Sequence, residues 1–190
     1  LANLGDSTAA HALIDHINIL EKWDRESFLV SLAHGNHHMS IREAALAKLA
    51  ASIDERSAPA LISAMARTRL ADPEFVGLLT GLGQSTVTAL LDGLAHPPRH
   101  VRSGCLKALG AMKAEAARGA IAECLRAREP VVRVAAAMAL AEIGSADAVP
   151  ALLASAGDKS WEVREAVAKG LGQFVALAAA GNLTRLTGDP

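Results

Sequence analysis

Residues 158–171 read DKSWEVREAVAKGL, and the Val163-Arg164 pair inside this stretch decides the fold. The same pair recurs as Val132-Arg133 and Val101-Arg102, and as Ile41-Arg42 near the start. Thirty-one residues separate Arg102 from Arg133 and Arg133 from Arg164, while Arg42 precedes Arg102 by 60, or two steps of 30. A fixed period of this size marks stacked supersecondary units, none of which buries its apolar face alone.

Each copy carries a helical stripe. Val163, Val167, Leu171 and Phe174 fall at i, i+4, i+8 and i+11, the spacing of one helix face. Val132, Ala136, Leu140 and Ile143 repeat it, as do Val101, Cys105, Leu109 and Met112. Ile41, Ala45 and Leu49 give an earlier copy, and Ala71, Phe75, Leu79 and Leu82 a degenerate one in which Asp72 replaces the arginine. Pro73 then sits at a helix start, where a missing N–H costs little. Upstream of the last copy, residues 144–157 read as a shorter helix: Ser145 or Asp147 as cap, Pro150 in the first turn, Gly157 at the end. Each unit is thus a helical hairpin, A then B.

The chain resembles HEAT repeats, and more closely their bacterial PBS-lyase-like subtype, through the run Asp158, Val163-Arg164, Leu171 and the Gly144 to Leu153 helix. The resemblance implies an all-α fold, an α-solenoid wound as a right-handed superhelix of about five HEAT-like hairpins. It also implies that helix B lines the concave face, and that Arg42, Arg102, Arg133 and Arg164 form a polar ladder with acids such as Asp158. At the positions equivalent to Asp158 stand His96 and Ala127, so the ladder is expected to be incomplete.

Residues 1–190 are expected to form one such domain, a piece of a longer array. Residues 1–34 are irregular with an extra helix, residues 35–175 are regular repeats, and residues 176–190 form a C-terminal helix and frayed tail. Half the residues are apolar (51%) but only 3% are aromatic, which suits close-packed Ala- and Leu-rich helices. A net charge of −1 gives no pull toward nucleic acid or an anionic membrane. No apolar run approaches the roughly 18 residues of a membrane span, and a bacterial cytoplasmic location is expected. Cys105 and Cys124 lie at helix positions of the buried type and read as reduced thiols.

Catalytic patterns are weak. His34, His37 and His38 share one loop, and His96 and His100 another two units on, roughly 20 Å away by helix packing distances. No local Cys or acid completes either as a metal site, so no metal or cofactor is expected, although the first loop leaves the question open. His11 and His16 are five apart, not the four of a helical zinc pair. HEAT folds include the iron enzyme deoxyhypusine hydroxylase, whose family uses His-Glu dipeptides, and this sequence has none. Gly77 to Gly83 lacks the Lys-Ser/Thr ending of a phosphate loop. No Gly-x-Ser-x-Gly elbow occurs.

The expectation is therefore a non-catalytic module that binds a protein or peptide on its concave face. Its residues are the solvent-facing columns of helix B: Glu43, Gly77, Lys107, Val134, Met138, Glu142, Glu165, Lys169 and Gln173. The alternatives are a HEAT-like enzyme, phycobilin lyase-like or DNA-lesion-processing, and a regulatory domain of a larger protein.

Overall fold

The computed structural model describes Ala45, Lys48, residues 57–68 and residues 73–187. Arg42, Glu43, the His34/His37/His38 loop, the N-terminal extra helix and the tail from residue 188 lie outside the described residues. Within them every regular element is helical: α1 Ala58–Thr68, α2 Pro73–Gly81, α3 Val87–Gly93, α4 Arg99–Ala111, α5 Arg118–Cys124, α6 Pro130–Ile143, α7 Val149–Ala154 and α8 Trp161–Thr187. No described helix is long and apolar enough to cross a membrane.

The punctuation is local chemistry repeated at the sequence period. Pro98 and Glu129, both in extended backbone, precede α4 and α6, and Pro130 opens α6 at a position that needs no amide. A 3-10 turn leads into α3, α5 and α7 (Gln84–Thr86, Glu115–Ala117, Ala146–Ala148), and its last residue, Thr86, Ala117 or Ala148, is buried each time. Ser145 does not cap through its side chain. Its hydroxyl instead receives the Arg118 guanidinium at 2.9 Å, with Asp147 3.1 Å away. Gly144, at φ 75°, stops α6 by donating its N–H to Leu140. The last helix departs from expectation: α8 runs unbroken past Phe174 to Thr187. Val175 stands where the period calls for another Gly144, so the left-handed stop is missing and an Ala-rich segment continues the helix.

The hairpins α1–α2, α3–α4, α5–α6 and α7–α8 pack internally, and α2, α4, α6 and α8 pack on one another in chain order. This arrangement is consistent with an α-solenoid. The expected stripes form its core: Val101, Cys105 and Leu109, Val132, Ala136 and Leu140, and Val163 and Val167 are buried, with Met112, Ile143, Leu171 and Phe174 half-buried beside them. Burial pushes the Cys105 thiol up to about 12 and raises that of Cys124, so both are protonated and unreactive at neutral pH.

The arginine ladder is more complete than expected. Arg133 is 4% exposed. Its Nε and Nη2 donate to the two Asp158 carboxylate oxygens, both at 2.7 Å, and its Nη1 donates to the Ala127 and Arg128 carbonyls. Arg102 donates to the His96 and Pro97 carbonyls and, at 2.7 Å, to Glu129. Glu129 lies two residues beyond Ala127, so the acid is present but shifted along the loop. Arg164 donates to the carbonyls of Asp158 and Lys159. Each described arginine thus ties down its own A–B loop, and two reach forward to the next hairpin.

Candidate functional site

Of the nine expected partner-binding residues, Lys107, Val134, Met138 and Glu142 line one cavity of about 430 Å³ on the α4–α6 face. Pro73 and Val76 of α2, Ala111 of α4, and Val131 and Ala135 of α6 complete it. The period explains the convergence: residues equivalent on consecutive B helices land side by side when those helices stack. The cavity is within the size range of ligand sites. Its wall is aliphatic, with Val131 46% and Met138 36% exposed, and its polar groups are one ammonium and one carboxyl.

Glu142 is the chemically distinctive group. Gly110 has no side chain to hold it off: a Cβ built there would meet Glu142 Oε2 at 2.6 Å and the Ala139 Cα at 2.7 Å. The carboxyl therefore lies against the α4 backbone, and partial burial raises its pKa above the usual carboxylate range. Lys107 stands one helical turn before Gly110 on α4. A second, larger cavity of about 620 Å³ also uses Glu142, together with Lys113, Ile143, Gly144, Gln173 and Ala176. Glu142 is the residue the two cavities share.

The remaining expected residues fall elsewhere. Gly77 is exposed on α2. Glu165 and Lys169 pair with each other at 2.7 Å along α8, an exposed i,i+4 contact. Ser103, in the same column as Val134, is buried and donates to the His100 carbonyl. Sequence reasoning missed Val131, Val76 and Lys113. Val131 carried a signal, an apolar residue between Pro130 and the buried Val132. Lys113 lay beyond the last helical column and carried none. His96 Nδ1 is buried without a hydrogen-bond partner. Among the described residues no three His, Cys, Asp or Glu side chains gather in a metal-sized cluster.

Comparison with known proteins now bears on the stacked hairpins. Residues 117–190 match the family model for HEAT repeats. The matched segment runs from the end of the turn before α5 onward. No curated protein matches the chain. Among solved structures, human deoxyhypusine hydroxylase in complex with glycerol is similar, at 18% identity and a TM-score of 0.57, over 90% of this chain and 75% of that one. At that identity the likeness is one of fold.

The match corrects the functional expectation. Stacked hairpins without a contiguous catalytic motif pointed to a non-catalytic binding scaffold, and the similar structure is an enzyme built on this fold. The step from solenoid to scaffold fails for a physical reason. A repeat surface also brings together groups from successive B helices about 30 residues apart, which no single short motif contains. Lys107 and Glu142, 35 residues apart in sequence, line one cavity in this way.

Proposed function

We propose that the chain is a HEAT-repeat enzyme whose reacting site is the cleft between α4 and α6. Glu142 acts there as the proton-transfer group and Lys107 as the anchor for an anionic substituent on an apolar substrate. One observation carries the reading: a carboxyl with a pKa raised by burial and an ammonium line the same aliphatic cleft. A raised carboxyl pKa brings donor and acceptor forms closer together in population near neutral pH, as general acid–base work requires.

Of the two enzyme alternatives, the bilin-handling one fits this cleft better. A bilin is an apolar open-chain tetrapyrrole with two carboxylates, matching an aliphatic wall and a lysine. DNA-lesion processing calls for a basic channel with aromatic side chains, and the cleft holds one lysine, one glutamate and no aromatic residue. The PBS-lyase-like motif at residues 158–171 supports the same choice. Attachment or isomerisation of a bilin moves a proton and needs no oxidant. We read the whole as a right-handed superhelix of about five hairpins, working in a bacterial cytoplasm, where free thiols such as Cys105 and Cys124 persist.

The test mixes the chain with phycocyanobilin and an apo-phycobiliprotein and follows the visible spectrum. The wild type should accelerate the absorbance change of chromophore attachment or isomerisation. Glu142→Gln should slow it by roughly 10²–10⁴-fold with an unchanged circular dichroism spectrum. A wild-type rate equal to the protein-free rate refutes the bilin reading, and an undiminished Glu142→Gln rate refutes the role of Glu142.

A further inference from the structure

Three described B helices end at equivalent points, and the residues there have positive φ: Gly83 at 80°, Lys113 at 50° and Gly144 at 75°, Gly144 in the left-handed helical region and Gly83, with ψ −173°, outside it. Two are glycine, which adopts positive φ freely. Lys113 is the one non-glycine residue with positive φ among the described residues, and its Cβ makes the conformation unfavourable. The stop itself is ordinary: Ala114 N–H donates to the Leu109 carbonyl and Lys113 N–H to the Gly110 carbonyl. A glycine would make both bonds without the steric cost.

What lysine adds is its side chain, which lines the 620 Å³ cavity with Glu142 and Gln173. Among the described residues Lys113 makes no ion pair. Gln173 comes from α8, one B helix beyond Glu142, and is exposed. Backbone strain at a cavity-lining residue is a pointer to function. We propose that Lys113 and Gln173 form a subsite for a carboxylate of the ligand whose apolar body occupies the neighbouring Val134–Met138 cleft. The ammonium pairs with the carboxylate and the Gln173 amide donates to it. Glu142, shared by both cavities, marks the join.

A purely structural account competes. A cation at the C-terminal end of α4 faces unpaired carbonyls and gains from the helix dipole. The two accounts predict different responses at one residue. If Lys113 serves only the helix end, Lys113→Gly should lower Tm or leave it unchanged. If it is retained for a ligand, Lys113→Gly should release the strain and raise Tm while weakening binding, the trade expected when function holds a residue in an unfavourable state.

The inference rests on the α4–α6 cleft being a ligand site, so the experiment reads cleft and subsite separately. The full chain is titrated with 4-phenylbutyrate and with 4-phenylbutanol, which share an apolar body and differ in the carboxylate, and followed by methyl and amide NMR. In the wild type the Met138 methyl signal should shift with both. The acid should bind about fivefold or more tightly than the alcohol and should alone shift the Gln173 side-chain amide. Lys113→Gly and Lys113→Gln should both abolish the acid-specific Gln173 shift, reduce the preference for the acid to what Lys107 alone provides and leave alcohol binding intact, with Lys113→Gly raising Tm by about 2 °C or more. An acid-induced Gln173 shift that survives in Lys113→Gly, or a Tm for that variant no higher than the wild type's, overturns the subsite. Acid binding that shifts Met138 but not Gln173 in the wild type overturns the subsite alone. Failure of both probes to shift Met138 removes the cleft and the subsite together.

Discussion

Replacing Asp158 with alanine is expected to lower the unfolding free energy by about 3–5 kcal/mol, because it leaves a buried guanidinium without its counter-charge. In a chain of this size that corresponds to a fall in Tm of about 10 °C. The Arg133 and Asp158 side chains are only 5% and 12% exposed, and two parallel bonds of 2.7 Å join them. Removing the arginine's partner is worse than removing an exposed charge, since Arg133 cannot deprotonate. Asp158 also accepts the Ser160 N–H at 2.7 Å, so the loop entering α8 loosens at the same time. Because an array transmits stability only between neighbours, the loss should concentrate at the α6–α8 junction. Hydrogen exchange should show α7 and α8 opening before α4 in the variant. A uniform loss across all helices would refute the ladder as a local rung.

The same pair sets an acid limit. The hydrogen bonds from Arg133 hold the Asp158 carboxyl below the usual range, with smaller help from the Ser160 N–H. A folded-state pKa below the unfolded value of about 3.9 contributes stability at pH values above the latter. That contribution is lost as pH falls through the folded pKa. Denaturation midpoints of the wild type should therefore drop more steeply below about pH 4 than those of Asp158→Asn, whose unfolding should show less acid dependence. Parallel curves would remove Asp158 from the acid response.

How far the sequence carried this reading depends on what repeats. The B-helix stripe was legible because the described copies bury the same first position: Val101, Val132 and Val163 are each fully buried. The cleft was partly legible: counting residues from the motif arginine reached Lys107, Val134, Met138 and Glu142, which do line one cavity. The features that escaped are those where one copy breaks the pattern. Glu129 supplies the acid that Ala127 lacks from two residues along, a shift that loop flexibility permits and strict periodic counting rejects. Lys113 occupies a glycine position, and nothing in composition flags a lysine at a helix end. The raised Glu142 pKa depends on Gly110 of another helix, so a window around residue 142 cannot contain it. The scaffold expectation looked for motifs contiguous along the chain, whereas stacked B helices bring together residues such as Lys107 and Glu142 that no such motif contains.

Gly110 and Gly172 give the sharpest test of that cross-helix view, since they hold the same place two periods apart and should respond with opposite signs. Gly110 sits under the next B helix: a Cβ there would stand 2.7 Å from the Ala139 Cα and 3.0 Å from its Cβ. The nearest obstruction after the Glu142 carboxyl is backbone, so the helices themselves must part. Gly110→Ala should destabilise the fold by about 1–3 kcal/mol despite the better helix propensity of alanine. It should also push Glu142 off the α4 backbone and toward water. The Glu142 pKa, followed by carboxyl-carbon NMR, should then fall toward its ordinary value, since burial is what raises it. Gly172 lies in the middle of α8 with nothing within 4 Å of a Cβ built on it. Gly172→Ala should therefore stabilise by up to about 1 kcal/mol, the helix-propensity gain without steric cost. Urea midpoints of the two variants on either side of the wild type support close α4–α6 packing as the origin of the cleft. If both variants stabilise, α4 and α6 are further apart than Gly110 implies, and Glu142 owes its raised pKa to something other than that contact.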